Sequence, residues 1–120
     1  MANQTIRKVL STDSLVGTTV RNSAEEELGE IKAIMIDLTS GRIAYAVLSF
    51  GGFLGMGDKL FTIPWEAFSV SPTDEIMYLN VAKNKLVNAP GFDKDNWPDF
   101  VDPSFGSEMY CYYGYKTYWN

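Results

Sequence analysis

Histidine is absent from the 120 residues, and cysteine occurs once. Without histidine there is no imidazole for a nucleophilic triad, for a His-ligated metal or for a switch titrating near neutral pH. A single cysteine excludes an internal disulfide framework and any Cys-x-x-Cys site, and fits a reducing compartment. No stretch approaches the roughly 20 apolar residues of a membrane span, and the polar stretch from Met1 to Ser14 lacks the apolar core of a signal peptide. Positive charge is scarce too: 10 Lys and Arg stand against 15 Asp and Glu, for a net charge of −5. The longest basic run, Arg7-Lys8, is too short to neutralise a nucleic-acid backbone or to hold an anionic lipid surface. The expectation is a cytoplasmic protein with no nucleic-acid partner and no membrane insertion.

What is present is enough apolar material, 46% of the residues, for one domain with one core. Residues 1–11 read as a mobile lead-in, with Ser11, Thr12 and Asp13 offering N-cap oxygens for a short turn. The β-branched run Leu15 to Val20 predicts a first strand with a bend at Gly17, and Leu28 to Ile36 a long second one. Asp37 to Gly41 reads as a hairpin loop, in which Asp37 bonds back to loop amides and Gly41 takes a left-handed conformation. Arg42 to Phe50 predicts a third strand with both faces covered, and Lys59 to Ile63 a fourth. A helical turn over Pro64 to Phe68 precedes short strands at Ser69 to Ser71 and Ile76 to Val81. Short strands with glycine at the bends predict a mostly β fold, a small antiparallel barrel of five to six strands over residues 12–81. Closure is favoured because it removes sheet edges.

The composition changes after Val81. Lys83 to Ala89 predicts a helical turn or two, ended by Pro90-Gly91. Most of the aromatic residues fall between Phe92 and Trp119. Asp102-Pro103 reads as an N-cap with proline at the first helical position, and Gly114 as the stop. Phe105, Met109, Tyr112 and Tyr113 then share one helix face, while Gly106 weakens the first turn by about 1 kcal/mol relative to alanine. Residues 82–120 are expected to form a helical, aromatic-rich extension that packs on the barrel.

Five pieces carry a family resemblance: Leu15-Val16-Gly17-Thr18-Thr19-Val20, Leu28-Gly29-Glu30-Ile31, Ile36-Asp37 with Ser40-Gly41-Arg42-Ile43, the run Phe50-Gly51-Gly52-Phe53-Leu54-Gly55-Met56-Gly57, and Ile63-Pro64-Trp65-Glu66. In this order and spacing the chain resembles the PRC-barrel family. That family takes its name from the H subunit of the photosynthetic reaction centre and also occurs at the C-terminus of the ribosome-maturation factor RimM. The resemblance implies a small, mostly antiparallel barrel used for binding and assembly, with no catalytic residues to carry over. The chain looks like the stand-alone bacterial type, for which self-association is the expectation.

Sites of other kinds fail on their chemistry. The segment Gly51 to Lys59 lacks the Gly-Lys-Ser/Thr order of a phosphate loop, because Asp58 separates Gly57 from Lys59 and would repel the anion. The run Asp93 to Asp99 follows a calcium loop for three positions only, and Glu25-Glu26-Glu27 reads as a solvated turn. Cys111 sits among aromatics with no histidine to activate it and is expected to be a small buried hydrophobe. Tyr45 and Trp65 are expected to pack in the core or at the barrel rim. No catalytic residue, cofactor or metal site is expected, and the chain does not read as an enzyme.

The remaining candidates are contact residues. Phe53, Leu54 and Met56 on the glycine-rich loop, with Tyr115, Tyr118 and Trp119 in the tail, form the expected interaction surface. The leading expectation is a homodimer that docks an unidentified protein partner. The alternative is a domain that holds a small ligand or cation in a cleft between barrel and aromatic tail.

Overall fold

Ser11 caps a single turn of helix, α1 (Thr12–Leu15), its hydroxyl oxygen accepting from the Ser14 amide. This turn begins the computed structural model, which describes residues 11–50, 59–70 and 76–119. The cap overrides the β-branched signal at this end. Leu15 and Val16 are not strand residues as expected: Leu15 ends the turn with its side chain in the core, and Gly17 reverses the chain at φ +91°. The first strand, β1 (Thr19–Arg21), is correspondingly short.

The next two strands are long and paired: β2 (Glu27–Asp37) and β3 (Arg42–Phe50) run antiparallel through the Asp37–Gly41 loop. β4 (Lys59–Pro64) continues antiparallel on β3, and Pro64 caps a 3-10 turn over Trp65–Ala67. β5 (Phe68–Val70) and β6 (Met77–Leu79) complete a six-stranded sheet in the order β4-β3-β2-β1-β6-β5. All pairs are antiparallel except β1–β6, where Val20 lies beside Met77 in a parallel ladder. Among the described residues no ladder joins β4 to β5. The sheet forms a half-barrel, the mostly β, barrel-type fold expected, with its edge strands β4 and β5 not hydrogen-bonded to each other among the described residues.

The concave side of the half-barrel holds the main core, built from Val20, Leu28, Ile31, Leu48, Phe61 and Ile63 among others. Gly29 brings β2 and β3 together: its φ is +134°, and a Cβ there would strike the Ser49 carbonyl. On β3 every side chain from Ala44 to Leu48 is buried, so both faces are covered. The covering on the second face comes from the C-terminal third of the chain. Phe92 exchanges both backbone hydrogen bonds with Leu60, at 2.8 and 2.9 Å, which ties this segment along β4.

The same third of the chain contributes two helices. Leu86 of α2 (Lys83–Val87) is fully buried in the main core. α3 (Pro103–Tyr113) has the cap the sequence predicts, with the Asp102 carboxylate accepting from the Ser104 amide at 3.0 Å, and ends at Gly114 with φ +84°. Its buried residues are Gly106, Met109, Tyr110 and Tyr113. Tyr110 is the correction to the expected face, since it is almost wholly buried whereas Tyr112 is half-buried and donates its hydroxyl to the Lys85 carbonyl at 2.7 Å. None of the described helices is long and apolar enough to cross a membrane.

Candidate functional site, a cleft between hairpin and tail

The β2–β3 hairpin and the C-terminal third meet over a second apolar cluster built on Ala44, Tyr45, Met109 and Tyr110. A bulge in β3 creates it. Met35 pairs with Tyr45 and Ile36 with Ile43, so Ala44 drops out of the ladder and joins its neighbour Tyr45 in this cluster. The Ala44 carbonyl then accepts the Tyr110 hydroxyl at 2.9 Å. Burial pushes the Tyr110 hydroxyl well above the ordinary range, so it remains a donor. The Tyr45 hydroxyl is pushed up to about 12 by the same cause.

Helix and tail approach this closely because residue 106 is glycine. A Cβ there would collide with the Tyr45 hydroxyl and lie 2.9 Å from two ring carbons of Trp119. The glycine that costs helix propensity is what admits Tyr45 and Trp119 against the helix axis. Trp119 packs edge-on against Tyr110, with ring centroids 5.0 Å apart, and Tyr118 stands perpendicular to Trp119 at 4.9 Å.

The hairpin loop holds the tail by polar contacts. Asp37 Oδ1 accepts from the Thr39 amide at 2.9 Å and, more weakly, from that of Ser40 at 3.4 Å, which is the loop role the sequence predicts. Asp37 Oδ2 accepts the Tyr118 hydroxyl at 2.6 Å, and the Arg42 guanidinium sits 3.9 Å above the Tyr118 ring. The Tyr118 hydroxyl, followed by the loop amides, holds the Asp37 carboxyl below the usual carboxylate value of 3.8. Desolvation, then the hydrogen bond to Asp37, pushes Tyr118 up to about 12.

Between hairpin and helix lies a cleft of about 490 Å³. Its aromatic lining comes from Tyr45, Phe100, Tyr118 and Trp119, and its carboxylates from Asp37 on the hairpin and Asp102 at the start of α3. Leu38 and Val101 also line it and are 91% and 88% exposed, so large apolar side chains rim the opening from two separate segments. No group of three or more metal-ligating side chains occurs among the described residues.

Of the expected contact residues, Tyr118 and Trp119 line this cleft, and Tyr115 packs half-buried between the two apolar clusters. Phe53, Leu54 and Met56 lie outside the described residues, as does Asp58. Cys111 is exposed, not buried as expected, because it sits one position past Tyr110 and so turns away from the packed face. Glu25, Glu26 and Glu27 are exposed, and so are Asp93, Asp95 and Asp99. The first of these turns is organised by the residue that opens it. Asn22 is buried, accepts from the Ala24 and Glu26 amides at 3.0 Å each, and donates to Glu26 Oε1 at 2.7 Å.

The PRC-barrel domain model matches residues 8–86, which covers the whole sheet. The chain belongs to the PRC-barrel family. The match includes the β2–β3 hairpin and stops short of α3 and the tail, so the cleft joins family residues to residues beyond the family's span. Among solved structures, a Pseudomonas aeruginosa protein described as a 16S ribosomal RNA processing protein, RimM, is similar at 16% identity with a TM-score of 0.43. The similarity covers 62% of this chain and 45% of that one, so the shared part is less than half of the RimM chain. Comparison with curated proteins found no significant match.

Proposed function

We propose that this PRC-barrel chain is a cytoplasmic, non-enzymatic interaction module that pairs with a second copy of itself and docks a protein partner. The exposed pair Leu38 and Val101 beside an aromatic cleft carries the reading. Large apolar side chains gathered at a concave surface mark contact sites, whereas single ones scattered over a surface do not. Tyrosine and tryptophan beneath them suit an interface, since each buries a ring while keeping a polar atom satisfied. Light scattering coupled to size exclusion tests the pairing. A dimer that the double variant L38S/V101S converts to monomer supports it, and a wild-type monomer at every concentration up to the solubility limit overturns it.

The cleft itself favours a second reading, a small-ligand site. Its volume falls in the range of small-molecule sites, roughly 300–1,000 Å³, and its lining combines aromatic walls with a few polar groups. A thermal-shift screen across metabolites and divalent ions supports this reading with a hit and overturns it with none.

A further inference from the structure

We propose that the cleft between the β2–β3 hairpin and α3 binds an organic ammonium ion, a positively charged nitrogen carrying apolar carbon, of the choline type. The proposal rests on the small-ligand reading above and adds the charge and shape of what enters.

Three features of the lining converge on that class. The aromatic residues Tyr45, Phe100, Tyr118 and Trp119 come from β3, the segment before α3, and the tail, so they surround the space from more than one side. Aromatic faces attract cations through the ring quadrupole, and they do so best when the cation brings apolar carbon in place of a tight water shell. The second feature is sign. Asp37 and Asp102 contribute carboxylates from separate walls, and neither lysine nor arginine lines the cleft among the described residues.

The third feature is preorganisation. Asp37 is fixed by Tyr118 and the loop amides, and Asp102 by the amide and hydroxyl of Ser104, at 3.0 and 2.8 Å. Both charges are in place before a ligand arrives, and Asp37 remains ionised well below neutral pH. One face of the Tyr118 ring is taken by the Arg42 guanidinium at 3.9 Å and is not open to a ligand, so the cation would rely on the other aromatic walls and the two carboxylates. Alternative ligands fit less well. An anion would meet two carboxylates, and a neutral apolar molecule would leave them unused. A bare metal ion would gain nothing from the rings and would find fewer than three ligating side chains together.

Calorimetry on the full chain separates the possibilities with three molecules of one shape: choline, 3,3-dimethylbutan-1-ol as its neutral carbon analogue, and 3,3-dimethylbutanoate as an anion. Choline is expected to bind about tenfold tighter than the alcohol, with no detectable binding of the anion. The double variant D37N/D102N, whose amides can keep the loop and cap hydrogen bonds, is expected to reduce choline to the level of the alcohol. Trp119→Leu is expected to weaken both, with folding checked by a thermal melt. Equal affinity for choline and the alcohol overturns the cation class and leaves the small-ligand reading standing. Absence of binding by all three to folded wild-type protein overturns this proposal, while a hit of another class in the thermal-shift screen would still uphold the cleft as a ligand site.

Discussion

The Tyr118 hydroxyl donates to Asp37 Oδ2 at 2.6 Å, a bond between residues 81 positions apart that ties the tail to the β2–β3 hairpin. Its strength depends on the charge of the acceptor, so it carries a pH signature. The Asp37 carboxyl is lowered from 3.8 in the folded protein. Its contribution to stability is therefore complete above about pH 4 and lost as pH falls through the lowered folded value. Tyr118 has the opposite sense: raised from 10.0 to about 12, it favours folding below pH 10 and loses that contribution as pH rises toward 12. Tyr118→Phe is expected to lower the melting temperature at neutral pH. The gap between variant and wild type should close as pH falls progressively below 3.8 in one direction and narrow above pH 10 in the other. Thermal melts across the pH range measure both arms, and a gap independent of pH would show that ring packing, not the hydrogen bond, holds the tail.

Gly106 sets a competition between local propensity and packing. Alanine is the better helix former by about 1 kcal/mol. Its Cβ would nonetheless strike the Tyr45 hydroxyl and press on Trp119. Overpacking of this kind costs about 1–3 kcal/mol, so Gly106→Ala is expected to destabilise on balance. Urea unfolding checks the sign. Adding Tyr45→Phe should recover part of the loss, because it removes the atom nearest the new methyl.

Two buried hydroxyls on neighbouring elements should respond in opposite directions. The Tyr110 hydroxyl is paired with the Ala44 carbonyl, and Tyr110→Phe would leave that buried bulge carbonyl without this donor, at about 1–2 kcal/mol. Thr62 Oγ1 is buried and has no hydrogen-bond partner among the described residues. Replacing an unsatisfied hydroxyl by a methyl of similar shape removes a desolvation cost, so Thr62→Val is expected to be neutral or stabilising by up to about 1–2 kcal/mol. Chemical denaturation of the two variants side by side tests the contrast.

How far the sequence alone carries is set by the range of each interaction. β2, β3 and β4 and the hairpin between the first two were legible because β-branched runs, Asp37 and Gly41 act within a few residues. The same holds for α3, whose Asp102-Pro103 start and Gly114 stop are local signals. Leu15 went the other way, since one serine cap outweighed a short β-branched run. The cleft was legible in outline as a space between sheet and aromatic tail, with Tyr118 and Trp119 among its expected residues, but the rest of its lining was not. Leu38 looks like an ordinary loop residue, and nothing near Tyr118 points to Asp37. Tyr110 was hidden by counting Gly106 as a defect: once the glycine is treated as part of the buried stripe, 106, 109, 110 and 113 follow helical spacing. The Ala44 bulge shows no local mark in the strand, because it is a mismatch of register between two strands.

Asn22 offers the sharpest test of the first turn. Its side chain is 4% exposed, and its amide nitrogen donates to Glu26 Oε1 at 2.7 Å and to the Val81 carbonyl at 3.3 Å, while Oδ1 accepts two backbone amides. It thereby joins the turn between β1 and β2 to the chain leaving β6. Asn22→Ala removes all of these bonds and is expected to cost about 1–3 kcal/mol. Asn22→Asp keeps the acceptor but replaces the donor by a second carboxylate facing Glu26 Oε1 at hydrogen-bond distance, where like charges repel. At neutral pH the aspartate variant should be at least as unstable as the alanine one. Denaturation at pH 7 distinguishes the cases, and an aspartate variant as stable as wild type would mean that Glu26 swings away and the turn does not depend on this pair.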